Sequence, residues 1–134
     1  MEQSAKPVPR GDGLNGEFYA YAAKLELRFQ RCDDCGAWRH MPRYTCAVCG
    51  SSKWAWALSS GRGKLYSWTV THRSFHPAFN DDVPYGVAVV ELEEGVRMVS
   101  HIEELPLSEY SLDRSLRVTF RQRGDSVLPV FVPA

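Results

Sequence analysis

Cys32-Asp-Asp-Cys35-Gly36, a gap of ten residues, and then Cys46-Ala-Val-Cys49-Gly50 is the stretch that organises this sequence. All four cysteines of the 134-residue chain fall inside it. A two-residue spacer lets both sulfurs of a pair approach one ion, and the glycine that follows relieves the tight turn this requires. Four thiolates without an accompanying carboxylate suit a closed tetrahedral site, so the expectation is structural Zn2+, with iron in a rubredoxin manner as the second choice. The gap is shorter than the ~15–20 residues common in zinc ribbons, but a compact hairpin of two knuckles closes it. The expected metal ligands are therefore Cys32, Cys35, Cys46 and Cys49. A closed site has no open coordination position, and no cysteine is left over as a nucleophile.

Disulfides and a redox dithiol are the competing uses of such residues. The segment from Met1 to Gly16 carries Pro7, Pro9, Gly11, Gly13 and charges, with no apolar stretch. It does not read as a signal peptide, and no run approaches the ~20 apolar residues of a membrane span. A cytoplasmic location follows as the expectation, and disulfides are rare there. Two CxxC pairs in tandem resemble a cage more than one reactive dithiol.

Upstream of the cysteines, residues 1–14 read as a flexible leader. Asn15 is a fair N-cap, and Phe18, Tyr21 and Ala22 share one helical face, which predicts a short helix over about 16–24. Leu25, Leu27 and Phe29 then alternate with Glu26, Arg28 and Gln30, a strand running into Cys32. Downstream the text is β-rich. Runs at Trp54–Leu58, Lys64–His72, Tyr85–Leu92, Val96–Ile102, 116–121 and Leu128–Val132 have strand character. Glu93-Glu94-Gly95 predicts a hairpin turn with Gly95 at positive φ. The expected fold is mainly β: helix and rubredoxin-like zinc ribbon over 15–53, then a five-stranded OB-fold barrel over 54–134.

Composition is that of an ordinary globular domain, 44% hydrophobic and 24% charged with zero net charge. The charge is unevenly spread: residues 24–76 hold nine basic and three acidic side chains, residues 77–113 one basic and nine acidic. A nucleic-acid binder more often carries a basic excess over the whole domain. Arg39, Arg43, Arg62, Lys64 and Arg73 are candidates for an anion or coenzyme A phosphate site, since guanidinium forks match phosphate oxygens. Taken singly, each reads as an ordinary solvated residue, and only as a group near the ribbon–barrel junction do they suggest an anion site. There is no Walker loop, no G-x-G-x-x-G and no G-x-S-x-G, so no catalytic constellation stands out.

The order of these pieces is similar to a known family. Gln30-Arg-Cys32 through Cys35-Gly36, Met41-Pro-Arg43, Cys46 through Gly50, Trp54–Trp56, Gly61-Arg-Gly63-Lys-Leu-Tyr-Ser-Trp, Pro84-Tyr85-Gly-Val-Ala-Val-Val and Glu94-Gly95-Val-Arg-Met resemble OB-fold proteins with an N-terminal rubredoxin-like zinc ribbon, long labelled a domain of unknown function. The resemblance covers about residues 15–133. It implies a non-catalytic subunit that binds and stabilises a thiolase-superfamily enzyme acting on acyl-CoA, including thiolase-like aldolases of steroid side chains. It also implies association with acyl-CoA and with MaoC-type hydratase subunits. On that reading His72–Tyr85 forms a loop over the interface, and Trp38, Phe75, His76, Phe79 and Tyr85 are candidate partner contacts. The family often has a glycine-containing turn where this chain reads Asp113-Arg114-Ser115. The competing reading is an OB-fold single-stranded nucleic-acid binder using Arg117, Arg121 and Arg123 with Tyr66 or Trp68. The acidic stretch 77–113 weighs against it. An independent small enzyme has no supporting motif.

Overall fold

The computed structural model describes residues 6–134. The chain runs α1 (Gly13–Ala23), β1 (Arg28–Cys32), β2 (Trp38–Arg39), β3 (Trp54–Leu58), β4 (Arg62–Thr71), β5 (Tyr85–Leu92), β6 (Arg97–Ser100), β7 (Ser115–Arg123) and β8 (Ser126–Pro133). Short 3-10 turns occupy Pro77–Phe79 and Leu107–Glu109. Of the expected leader, residues 1–5 lie outside the described residues, and residues 13 and 14 belong to α1.

Two antiparallel sheets form, in the orders β2-β1-β3 and β6-β5-β4-β7-β8. Trp54–Leu58, grouped above with the barrel runs, pairs with β1 along its whole length, from Arg28 opposite Leu58 to Cys32 opposite Trp54. It therefore completes the ribbon sheet, and exactly the remaining five strands make the larger sheet.

That larger sheet curls until its ends meet. Ile102, just beyond β6, forms a parallel bridge to Phe131 on β8. The Phe131 amide donates to the His101 carbonyl at 2.9 Å and the Glu103 amide to the Phe131 carbonyl at 2.8 Å. The strand order and this parallel closure are those of an OB fold. β4 is long enough to serve both neighbours, and a bulge between Leu65 and Ser67 bends it between β5 and β7. At that corner a Cβ on Gly63 would lie 2.5 Å from the Glu91 carbonyl oxygen, so the backbone approach requires glycine.

Periodicity explains most of the burial. Along β5, Gly86, Ala88, Val90 and Leu92 are buried while the alternate residues are half-buried. β8 departs from this, with Pro129, Val130, Phe131 and Val132 all buried, because α1 packs on it from outside the barrel. Phe18 from α1 and Leu27 and Phe29 from the ribbon join Leu65, Val90, Leu116 and Phe131 in one continuous apolar core. Ribbon and barrel thus share their packing.

Local details refine the sequence reading. Asp12, not Asn15, occupies the N-cap, and it makes no side-chain cap bond. Leu25 takes φ of 64° and is 68% exposed, so it ends the helix turn and does not start the strand. The hairpin at Gly95 forms as expected, with φ of 89° and Leu92 and Val96 hydrogen-bonded across it. Asp113 adopts φ of 63°, the left-handed conformation that aspartate tolerates better than most residues. An aspartate thus occupies, in the turn before β7, a backbone conformation that favours glycine.

Candidate functional site

The two knuckles are built alike. In the first, the Gly36 amide donates to the Cys32 carbonyl at 3.0 Å and the Cys32 amide to the Ala37 carbonyl at 2.8 Å. In the second, Gly50 donates to Cys46 and Cys46 to Ser51, both at 2.8 Å. Gly36 and Gly50 sit at φ of 75° and 77°, where a side chain would be strained. Ser51 Oγ donates to Asp34, which ties one knuckle to the other.

All four sulfurs lie within 4.8 Å of one another, with Cys32 to Cys49 and Cys35 to Cys46 each at 3.6 Å. A tetrahedral ion with ~2.3 Å bonds to sulfur needs edges of about 3.8 Å, so the cage fits a metal of that kind. No sulfur pair is bonded as a disulfide. Electrostatics agrees. The backbone amides of Cys49 and Val48 hold the Cys46 thiol well below its ordinary value, at about 6. Cys49 is pulled down by the Ser51 amide, but the neighbouring Cys32 sulfur, burial, and Cys35 and Cys46 outweigh this and push it up to about 12. Four crowded sulfurs do not all ionise without a cation between them. Among the described residues these cysteines are the one cluster of three or more potential metal ligands.

Behind the sulfurs lies a polar network that the alternation pattern missed. Gln30, expected on an outward face, is fully buried. Its Oε1 accepts from Arg39 Nε at 2.9 Å and from the Arg43 amide at 2.7 Å, while its Nε2 donates to the Arg43 carbonyl at 2.8 Å. Both faces of β1 are covered, Phe29 by the apolar core and Gln30 by the loop at Arg43, and a single strand pattern does not show that. His40 was likewise unmarked. It packs between Phe18 and Phe29 at centroid distances of 5.0 and 5.3 Å, and burial lowers its pKa to about 4.

The five candidate anion-site residues are spread over three places. Arg39 and Arg43 line a cavity of about 320 Å³ beside the second knuckle. Arg62 and Lys64 line a separate 550 Å³ cleft at the barrel end. There Arg62 grips Glu93 through two bonds of 3.1 Å, and Lys64 sits 3.8 Å from Glu91 and 3.7 Å from Asp113. Arg73 stacks over Phe75. Of the candidate partner contacts, His76, Phe79 and Tyr85 form an aromatic chain with centroid spacings of 6.0 and 6.1 Å. His76 also caps the 3-10 turn, its Nδ1 accepting from the Ala78 amide at 3.0 Å. Phe75 beside them is 89% exposed. Trp38 stands apart on β2, half-buried beneath Arg31. The aromatic platform of the nucleic-acid reading is engaged internally: Arg97 covers Tyr66 at 3.8 Å, and Trp68 packs edge-on against Tyr110.

A four-cysteine ribbon fused to an OB barrel, with all four cysteines gathered in one cage, defines a small zinc-ribbon and OB-fold module. The chain belongs to the ChsH2-type (DUF35) family. Residues 20–55 match the ChsH2 rubredoxin-like zinc ribbon domain, and residues 56–121 match the ChsH2 C-terminal OB-fold domain. Over 98% of its length it is 33% identical to a probable enoyl-CoA hydratase alpha subunit of Thermomonospora curvata. Over 81% it is 36% identical to the 3-oxo-4,17-pregnadiene-20-carboxyl-CoA hydratase alpha subunit of Mycobacterium tuberculosis. The chain spans 41% and 34% of those two proteins, which are much longer. It is also 30% identical to a DUF35 domain-containing scaffold protein of Methanothermobacter thermautotrophicus, covering 74% of each. Among solved structures, a chain of the Ltp2-ChsH2(DUF35) aldolase superposes with a TM-score of 0.82 at 33% identity, covering 96% of this chain and 98% of that one. No helix among the described residues is long and apolar enough to cross a membrane.

Proposed function

We propose that this chain is a cytoplasmic, non-catalytic accessory subunit that binds and stabilises a thiolase-superfamily enzyme. Its partner would carry out carbon–carbon bond chemistry on acyl-CoA, either Claisen or retro-aldol, with a steroid side-chain aldolase as one form. The observation that carries this reading is the match along nearly the whole chain to a subunit of the Ltp2-ChsH2(DUF35) aldolase. The relatives described as scaffold proteins point the same way. Those described as hydratase alpha subunits make a MaoC-type hydratase a further candidate partner.

Placement in the fold supports the following roles within the chain. Zinc at Cys32, Cys35, Cys46 and Cys49 would staple the ribbon and take no part in the reaction, because a four-thiolate site is closed. Exposed Phe75, with the His76, Phe79 and Tyr85 chain behind it, offers an aromatic anchor of the kind that dominates protein interfaces. Arg43 and Arg73 are exposed and would be the members of the anion group to meet an acyl-CoA phosphate, since Arg62 and Lys64 are already matched by carboxylates.

Affinity capture with the intact chain as bait, from the cell that expresses it, tests the reading. Stoichiometric recovery of a thiolase-like protein is the expected result. Recovery of nucleic acid, or of nothing above background, would overturn it.

A further inference from the structure

Arg39 presents an unusual problem. It is 8% exposed, yet among the described residues no carboxylate lies within ion-pairing distance of it. Its Nε donates to Gln30 and its Nη2 to the Arg43 carbonyl at 2.8 Å, both neutral acceptors, while buried Nη1 has no hydrogen-bond partner among the described residues. A guanidinium keeps its charge when buried, and beyond the face of Trp54 a negative charge nearby would stabilise it.

Its position in the fold indicates which one. Arg39 stands opposite Gln30 on the β2–β1 ladder, and Gln30 shares a strand face with Cys32 two residues on. Its guanidinium carbon lies 5.8 Å from the ring of Trp54, and Trp54 is the register partner of Cys32. Arg39 and Cys46 line the same cavity. The side chain is therefore wedged between the ribbon sheet and the second knuckle, on the face that carries the sulfurs. A divalent ion held by four thiolates leaves that cage with two negative charges. Residues 30–53 supply four basic side chains (Arg31, Arg39, Arg43, Lys53) against two acidic ones (Asp33, Asp34), a matching surplus. Of the four, Arg39 alone is buried.

We infer that Arg39 is the internal counter-cation of the tetrathiolate metal centre, a positioning and charge-balancing residue. Part of the basic excess that marks the middle of the sequence is then the ribbon's answer to its own metal. The cavity beside Arg39 could instead serve an external oxyanion, and the test separates the two. Zinc affinity of the full chain is measured by chelator competition for the wild type, Arg39→Gln, Arg39→Lys and Arg31→Gln, with and without inorganic phosphate. Arg31 is exposed next to Cys32, so its variant removes the same charge without removing a buried one. Arg39→Gln should weaken zinc binding on the order of 10- to 100-fold, the range typical of outer-shell partners, while Arg39→Lys and Arg31→Gln stay within a few-fold of wild type.

A second readout is independent of affinity. In the iron-loaded chain the reduced centre carries one more negative charge than the oxidised, so loss of the cation should make the reduction potential more negative in Arg39→Gln and not in Arg39→Lys. If Arg39→Gln fails to fold, rescue by Arg39→Lys supports the charge role, and failure of both variants overturns it in favour of a purely geometric one. Unchanged zinc affinity and unchanged iron potential in a folded Arg39→Gln would also overturn it. So would saturable phosphate binding that depends on Arg39 while zinc affinity does not.

Discussion

The ribbon and the barrel are both small antiparallel sheets, yet they are held by different physics. The barrel interior is apolar: Leu65, Val90, Leu92, Leu116 and Phe131 are essentially inaccessible. The ribbon has one apolar face, at Leu27 and Phe29, and an opposite face made of sulfur, a buried amide and a buried guanidinium. A face like that does not collapse by itself, because its polar groups are satisfied only once the knuckles are in place. The contrast teaches where each half is vulnerable, the ribbon to loss of one ion and the barrel to loss of packing volume.

Metal removal should therefore separate the halves, and it is the largest effect expected. Structural zinc contributes ~10–16 kcal/mol of binding free energy in small zinc domains, as large as the whole stability of an ordinary domain. Chelation, or Cys46→Ser, should unfold the ribbon. Tryptophan emission reports it directly, because Trp38, Trp54 and Trp56 lie on the ribbon sheet and Trp68 in the barrel. If the barrel melts in the same step, the shared core through Phe18 and Phe29 makes the two halves one cooperative unit.

The converse probe is Phe131→Ala, which removes a fully buried ring from the barrel and should cost about 3–5 kcal/mol in denaturant unfolding. Zinc content of the folded protein should not change. A matching loss of zinc would break the distinction between the halves.

His40 probes the seam between them. Its folded pKa of about 4 lies below the ordinary 6.5, so the unfolded chain binds the proton more readily and acid favours unfolding. The stabilisation is complete above about pH 6.5 and drains away as pH falls towards 4. Between pH 7 and pH 5 the loss should be about 2 kcal/mol. Comparison of wild type with His40→Leu in urea unfolding at both pH values isolates this contribution, and a slope that survives the substitution would assign it elsewhere. Arg62→Ala stands at the small end. Its pairing with Glu93 is exposed, and the melting temperature should not move measurably.

What the sequence made legible divides along the same line. The cysteine spacing exposed the ribbon because metal ligation imposes a local pattern, and β5 and the Gly95 turn were readable because alternation and turn chemistry are local too. Pairing partners are not local. Trp54–Leu58 carries strand character that fits either sheet, and only its register with β1 assigns it to the ribbon. The carboxylates that answer Arg62 and Lys64 lie about thirty to fifty positions downstream, at Glu91, Glu93 and Asp113, which is why a run of basic residues suggested one anion site where the fold has separate places. Gln30 read as an outward-facing residue and Arg39 as a candidate for an anion site, because nothing adjacent marks a strand covered on both faces.

The accessory role proposed above is to support chemistry that this chain does not itself perform. Its most direct test is turnover of acyl-CoA substrates by the zinc-loaded chain alone, by a captured thiolase-like enzyme alone, and by the two mixed in equal amounts. No turnover by the chain alone, a stoichiometric complex, and a more active or more stable enzyme in the mixture are the expected results. Turnover by the isolated chain, or a partner that neither binds it nor responds to it, would contradict the account.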